Sequence, residues 1–185
     1  MTARREDENV ITLLERQHVE IRTLLGVVAG STGDKRRESF QDLVRLLVVH
    51  ETAEEEVLHP EVRKLDGGEA EADLRLAEER HARELLSALY DLGTDAEGFD
   101  DQFEEFKACV LAHAGHEERE EFPLLRAAHG QEKLRAMADA VRAAEQIPPP
   151  RPHPGVETAA ADLMAGPPLA IMDHAREAIR SVLRP

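Results

Sequence analysis

Apolar residues recur every three or four positions along most of the chain, which is the spacing of amphipathic helices. Short breaks interrupt this pattern, and the clearest are GSTGD at 30–34, DGGE at 66–69 and GTDAEG at 93–98. The helices predicted between the breaks span 8–29, 35–64, 69–92, 99–128 and 131–145. No stretch alternates between apolar and polar residues as a strand would, so we expect an all-α fold.

The pattern changes near residue 147, where IPPPRPHPG indicates an extended, proline-rich connector. A last helix from about 168 begins with favourable proline chemistry and carries one apolar stripe. Such a stripe needs a partner, either the other helices or a second subunit. We therefore expect a helical domain at 1–146 and a connector with a C-terminal helix at 147–185. The protein is then a monomer, or a homodimer through that helix.

The chain repeats itself at a distance of 63 residues. The match needs no gaps and includes scarce residues, with His18 matching His81, His50 matching His113 and Pro60 matching Pro123. Glu54 matches Glu117 in the same register. The repeat indicates two helical hairpins, 8–64 and 69–128, whose short loops require antiparallel neighbours. The sequence thus predicts an up-down-up-down four-helix bundle with a short fifth helix and a C-terminal helical tail.

The repeated histidines and glutamates are spaced to meet at one site. Each even-numbered helix carries an H-x3-E pair, whose side chains lie within roughly 40° of each other, one turn apart. The first and third helices each add a histidine at a similar depth from the loops. Two carboxylates can bridge and neutralise two metal ions, and imidazoles suit iron, manganese or zinc. The predicted metal ligands are His18, His50, Glu54, His81, His113 and Glu117.

Four further residues are candidates for contacts around these ligands. Glu15 and Glu78 each precede a predicted ligand histidine by three positions, and they either accept hydrogen bonds from imidazoles or lie on the surface. His116 either donates a hydrogen bond to Glu117 or is exposed.

The fourth, His59, follows His50 by nine positions. On an ideal helix this places it about 180° away, which favours apolar packing. Pro60 would bring His59 nearer if it bent the helix, so a ligand or supporting role stays open.

The composition narrows the range of partners. There are 23 Lys and Arg residues against 38 Asp and Glu residues, which gives a net charge of −15. An acidic surface repels phosphate backbones, so nucleic acids and anionic membranes are disfavoured. No run approaches the ~18 apolar residues of a membrane span, and we expect a cytoplasmic protein.

These motifs resemble those of the hemerythrin-like family, the HHE cation-binding domains. The resemblance covers about 8–128, with EEEVLHP and EEREEFP at matching helix ends. It implies a non-haem di-iron centre in which Glu54 and Glu117 bridge the irons and the four histidines are terminal ligands. It also implies chemistry with dioxygen, peroxide or nitric oxide.

The chain departs from the oxygen-carrying hemerythrins. Their third helix carries H-x3-H and their last motif is H-x4-D. In this chain Leu85 stands four residues after His81, in place of the second histidine, and the last motif is H-x3-E. The resemblance therefore implies a more symmetric site with an additional open position, better suited to turning over a small oxidant than to carrying dioxygen. The pattern is similar to an actinobacterial subgroup for which peroxide-decomposing and nitric-oxide-related activities have been proposed.

Three functions are consistent with these patterns. The first is a di-iron protein that decomposes hydrogen peroxide or reacts with nitric oxide or dioxygen. The second is a di-iron protein that binds or senses these molecules without turnover, with 147–185 as its output element. The third is a metal-free structural bundle, which we rank last because burying four histidines and two carboxylates without a metal is costly.

Overall fold

A computed structural model describes residues 8–146 and 167–184 of the chain. The helices are α1 (Val10–Ala29), α2 (Gly33–Ala53), α3 (His59–Val62), α4 (Gly68–Leu92), α5 (Phe99–His116), α6 (Phe122–Ala128), α7 (Gln131–Glu145) and α8 (Pro167–Leu183). Two π-helical turns, π1 (Glu54–Leu58) and π2 (Glu117–Glu121), join α2 to α3 and α5 to α6. The all-α prediction is confirmed, and the described part of the chain contains no strand. The predicted boundary between 146 and 147 adjoins residues outside the described part and stays a prediction.

The two π-helical turns occupy equivalent places in the repeat, because each begins at the glutamate of an H-x3-E pair. The His59 N–H bonds to the Glu54 carbonyl, and the Phe122 N–H bonds to the Glu117 carbonyl, so each turn holds one extra residue. Pro60 and Pro123 follow directly and have no N–H to continue a regular ladder. The proline expected to kink the helix thus accompanies a widened turn.

Apolar side chains form two clusters, one on each side of a buried polar layer. Along α1, Leu14 belongs to one cluster and Ile21 to the other, with buried Gln17 and His18 between them. The cluster near the hairpin loops contains most of the phenylalanines, and Phe99 and Phe103 stack with ring centroids 5.6 Å apart. The other cluster lies where α7 and α8 pack against the bundle.

The C-terminal helix α8 uses its apolar stripe against this second cluster. Ile171, Ala175 and Ile179 are buried there, while Val182 and Leu183 at its end are about half exposed. Two arginines of α8 also face the acidic π1 turn. Of the helices described, none is long and apolar enough to cross a membrane.

A tight turn sets the direction in which α4 leaves α3. Gly67 has a left-handed backbone with φ of 73°, and the Gly68 N–H bonds to the Leu65 carbonyl at 3.0 Å. A Cβ on Gly68 would lie 1.8 Å from the Val62 carbonyl oxygen, closer than any real contact. Only glycine fits here, so the turn fixes where the second hairpin starts.

Gly68→Ala is expected to lower the free energy of unfolding by about 1–3 kcal/mol, because the new methyl group forces the turn to open. Gly26→Ala is the matched control: it lies inside α1, where an added methyl group would meet no atom within 4 Å, and alanine should stabilise the helix by about 0.5–1 kcal/mol. Urea unfolding of both variants in the presence of a chelator measures the difference. Equal stability of the two variants would contradict the tight turn.

Candidate metal centre

The polar layer between the two apolar clusters is built from glutamates and histidines with almost no access to solvent. The glutamates Glu54, Glu79, Glu117 and Glu121 have no exposed surface. The histidines are His18, His50, His59 and His113, none more than 7% exposed. Carboxylates are seldom buried without a compensating charge, so we expect cations or protons to neutralise the glutamates of this layer.

Two groups of side chains in the layer have the spacing of metal ligands. Ligand atoms of His18, His50, Glu54 and Glu117 all lie within 4.8 Å of one another. Those of Glu54, Glu79 and His113 do the same. Because Glu54 belongs to both groups, its carboxylate can serve two adjacent cations.

Three of the imidazoles are held from behind at Nδ1. The contacts are His50 to Gln17 Oε1 at 2.7 Å, His18 to Glu118 Oε1 at 2.9 Å and His113 to Glu78 Oε2 at 3.1 Å. When such a ring is neutral, an oxygen acceptor at Nδ1 keeps the proton there and leaves Nε2 with its lone pair turned toward the layer. This anchoring is the usual way in which proteins orient histidine ligands of metals.

The ligand atoms that face the middle of the layer have no hydrogen-bond partners, which is the condition expected of atoms that bind a metal ion. Both carboxylate oxygens of Glu54 and of Glu117, together with His113 Nε2, are buried without a hydrogen bond. The nearest imidazole nitrogens are 3.1 Å from Glu54 Oε1 and 3.2 Å from Glu117 Oε2, but no N–H is aimed at these oxygens. The Nε2 atoms of His18 and His50 approach within 3.1 Å of each other, which two lone pairs tolerate only with a proton or cation between them. Nitrogen and carboxylate donors in this number suit iron, manganese or zinc.

Burial and neighbouring charges shift the pKa values in the layer. Burial and the nearby His18 lower the pKa of His50, which keeps its imidazole neutral, as a metal ligand must be. Burial and the adjacent Glu117 carboxyl raise the pKa of Glu54. Burial opposes ionisation of Glu117, but His113 and then His18 outweigh it and lower the pKa of this carboxyl. A cation would therefore have to displace a proton at Glu54.

His59 joins two of the buried carboxylates. Its Nε2 donates to Glu79 Oε1 at 2.6 Å and its Nδ1 donates to Glu121 Oε1 at 2.9 Å. Burial opposes the charged ring, yet Glu121 and Glu79 raise the pKa of His59 to about 10. The favoured expectation of apolar packing for His59 is wrong. The extra residue in π1 turns the following side chains by about 100°, which brings His59 toward the face of His50.

The structure does not bring His81 to the other predicted metal ligands. Its side chain is 58% exposed, and its acidic neighbour is Glu84 at 4.0 Å, on the surface. Glu79, two residues earlier, occupies the inner face of α4 instead. The other five predicted ligands do lie together, with Glu79 in the place expected for His81.

The cause is a two-residue offset between α1 and α4. Six buried positions of α1 match six of α4 at a distance of 61 residues, and among them His18 pairs with Glu79 and Ile21 with Ala82. Helix α5 keeps the distance of 63, since His50 and His113 are both buried. The longer second loop, 93–98 against 30–32, takes up the difference. The sequence contained this signal, because Leu86 and Leu89 continue the apolar stripe at 61 whereas Glu84 and Asp91 would interrupt it at 63.

The supporting residues are a mixture of expected and unexpected ones. Glu78 does accept from imidazoles, namely His113 and His116, the latter at 2.7 Å. Glu15 does not, because its side chain is 43% exposed and lies 3.4 Å from Arg126 on the surface. Glu118 takes the role expected of Glu15, from the opposite hairpin.

Arginines at the edge of the layer supply positive charge that the sequence motifs did not indicate. Arg75 is 3% exposed and contacts Glu71 and Glu78. Arg83 contacts Glu55 at 2.6 Å and Glu79 at 3.4 Å. These cations compensate part of the charge of the glutamates around the layer.

The layer borders a small cavity of about 10 Å³. Its polar wall is formed by His18, His50, Glu51 and His113, and its other wall by Ile21, Leu47, Ala82, Val110 and Ala114. This volume is room for about one water-sized molecule. Burial and Glu79 raise the pKa of Glu51 to about 8.

Comparison with known proteins agrees with a cation site. A family model described as the hemerythrin HHE cation binding domain matches residues 9–125. A DNA nickase from Nostoc sp. (strain PCC 7120 / SAG 25.82 / UTEX 2576) is 25% identical over 142 residues, which is 76% of this chain. The chain spans only 40% of the length of that relative. No solved structure matches.

Paired substitutions on α4 test the offset. Glu79→Gln is expected to weaken zinc or cobalt binding about 10-fold or more, because it removes a charged oxygen from one of the two groups. His81→Ala, its matched control two residues away, should bind metal as the wild type does. Competition with a chromophoric chelator measures both affinities. If His81→Ala lost metal and Glu79→Gln retained it, the offset would be wrong, and His81 would be the ligand that the 63-residue repeat predicts.

The metal-free protein should be stabilised by Glu54→Gln. A carboxyl whose pKa is raised on folding binds its proton more tightly in the folded state, so its contribution to stability falls as the pH rises above the ordinary carboxyl range. An amide does not titrate, and at pH 8 the variant should gain about 1–3 kcal/mol, the scale of the desolvation penalty for a buried polar group without a partner. Urea unfolding at pH 6 and pH 8 provides the comparison. A wild type that is the more stable protein at both pH values, without metal, would refute a raised pKa at Glu54.

Proposed function

Since this chain belongs to the hemerythrin HHE cation-binding domain family, we propose that it holds a pair of iron ions and reacts with a small oxidant, hydrogen peroxide foremost. His18, His50 and Glu117 would bind one ion, Glu79 and His113 the other, and Glu54 both. The same donors also accept manganese or zinc. Bound iron would supply the electrons that exchange with the oxidant.

The observation that carries the oxidant proposal is the cavity beside the imidazoles. It has room for about one water-sized molecule, and most of its wall is apolar. A sugar, nucleotide or peptide does not fit such a space. Hydrogen peroxide, dioxygen and nitric oxide do, with modest adjustment of side chains.

The protein's own residues would orient and shield the site. Gln17, Glu78 and Glu118 hold three imidazoles at Nδ1, so their Nε2 atoms are already directed inward. Leu47 and Val110, which are themselves buried, line the cavity and would limit the entry of water. His59 holds the Glu79 carboxylate in one orientation.

A sensing function without turnover is the second candidate, and the contacts of α8 favour it. Arg176 and Arg180 pair with Glu55 and Glu56, the two residues after Glu54. A change in the position of Glu54 on ligand binding would therefore reach the C-terminal helix through the π1 turn. We propose a monomer in either case, because Ile171, Ala175 and Ile179 of the apolar stripe of α8 are buried against its own bundle.

A nucleic acid is not part of this proposal, although one relative is named a DNA nickase. That name describes a protein more than twice as long as the shared part. The net charge of −15 opposes approach of a phosphate backbone. We therefore expect that the iron-loaded chain does not nick a supercoiled plasmid.

An oxygen electrode tests the peroxide proposal. The iron-loaded wild type should evolve one O2 for every two H2O2 consumed, with two H2O as the other product. The double variant Glu54→Gln/Glu117→Gln should lose at least about 100-fold in rate, because one group loses both of its carboxylates and the other loses Glu54, the carboxylate that the two groups share. His81→Ala is the matched control and should retain the rate. Stoichiometric spectral change without O2 evolution would favour sensing, and neither response, or no iron bound, would overturn the proposal.

A further inference from the structure

Helix α7 lies beyond residues 9–125, the part that matches the family model, yet it reaches a metal-site histidine. Its last residue, Glu145, accepts a hydrogen bond from Gln17 Nε2 at 2.9 Å and one from Arg16 at 3.0 Å. Gln17 has no exposed surface, and its Oε1 accepts from His50 Nδ1 at 2.7 Å. Three side chains thus form one hydrogen-bonded series from the end of α7 to His50.

The series has a fixed direction because of its last member. A carboxylate can only accept, whereas a glutamine side chain has one donating and one accepting end. Glu145 therefore holds the Gln17 amide with its nitrogen outward and its oxygen toward His50. The oxygen in turn keeps the proton on His50 Nδ1 and the lone pair on Nε2, which faces the layer.

His50 alone among the three anchored imidazoles depends on such an arrangement. His18 and His113 meet the carboxylates of Glu118 and Glu78 directly, and a carboxylate presents an acceptor in either orientation. A glutamine without Glu145 could turn over and present its NH2 group to Nδ1. The proton would then move to Nε2, where it blocks coordination of a metal.

We propose that Glu145, acting through Gln17, is a positioning residue that selects the metal-binding tautomer of His50. The inference rests on metal binding at this site and not on the oxidant chemistry. It assigns to α7, an element outside the matched region, a part in preparing the centre.

The tautomer can be read directly in the metal-free protein by 15N NMR of labelled histidines, and the metal affinity by competition for zinc with a chromophoric chelator. The wild type should show His50 protonated at Nδ1. Glu145→Ala should populate both tautomers and weaken zinc binding about 10-fold to 100-fold, the usual effect of losing such support. Asp139→Ala, which removes an exposed carboxylate from the same helix, should change neither measurement.

A double variant distinguishes an effect of hydrogen-bond direction from an effect of side-chain packing at Glu145. In Gln17→Glu/Glu145→Gln the carboxylate accepts from both His50 and the new amide, so the tautomer and the zinc affinity should return to near the wild-type values. An unchanged tautomer in Glu145→Ala, or a double variant as weak as Glu145→Ala, would overturn the inference. A wild type that binds no metal would instead overturn the proposed function, while the NMR measurement would still decide the role of Glu145.

Discussion

The burial of four carboxylates in one layer is the constraint on which the rest of the structure depends. Glu54, Glu79, Glu117 and Glu121 have no contact with solvent, and apolar clusters close the layer on both sides. Ionised groups in such surroundings need nearby positive charge. Imidazoles inside the layer and arginines at its edge supply part of it, and cations shared through Glu54 would supply the remainder. The helices, loops and tail can be understood as ways of bringing these groups together.

Much of this arrangement could be predicted because it depends on local spacing. The periodicity of apolar residues predicted the helices, and the H-x3-E spacing predicted that His50 lies beside Glu54 and His113 beside Glu117. The place of His81 could not be obtained in the same way. The 63-residue repeat rests on scarce residues, whereas the rotation of α4 depends on its whole apolar face. Burying Leu86 and Leu89 outweighs keeping one histidine in register.

The residues that support the ligands leave no local signal in the sequence, because they are close to the ligands in space and far from them along the chain. Glu118 reaches His18 from the other hairpin, and Glu145 reaches Gln17 from α7. Nothing in a local motif marks these glutamates among 38 acidic residues. The favoured expectation for His59 was wrong for another reason, since a π-helical turn changes the angle between residues that a regular helix would fix.

The π-helical turns also affect how homologous chains should be aligned with this one. A chain lacking one residue just after Glu117 would have a regular helix there. Every side chain from that point to the end of α6 would then be turned by about 100° around the helix axis. Phe122 would then leave the face of His18, on which it now stacks with ring centroids 5.7 Å apart. A one-residue gap at this point is therefore not a neutral difference in length. It marks a chain whose polar layer is assembled differently, even where every histidine is present.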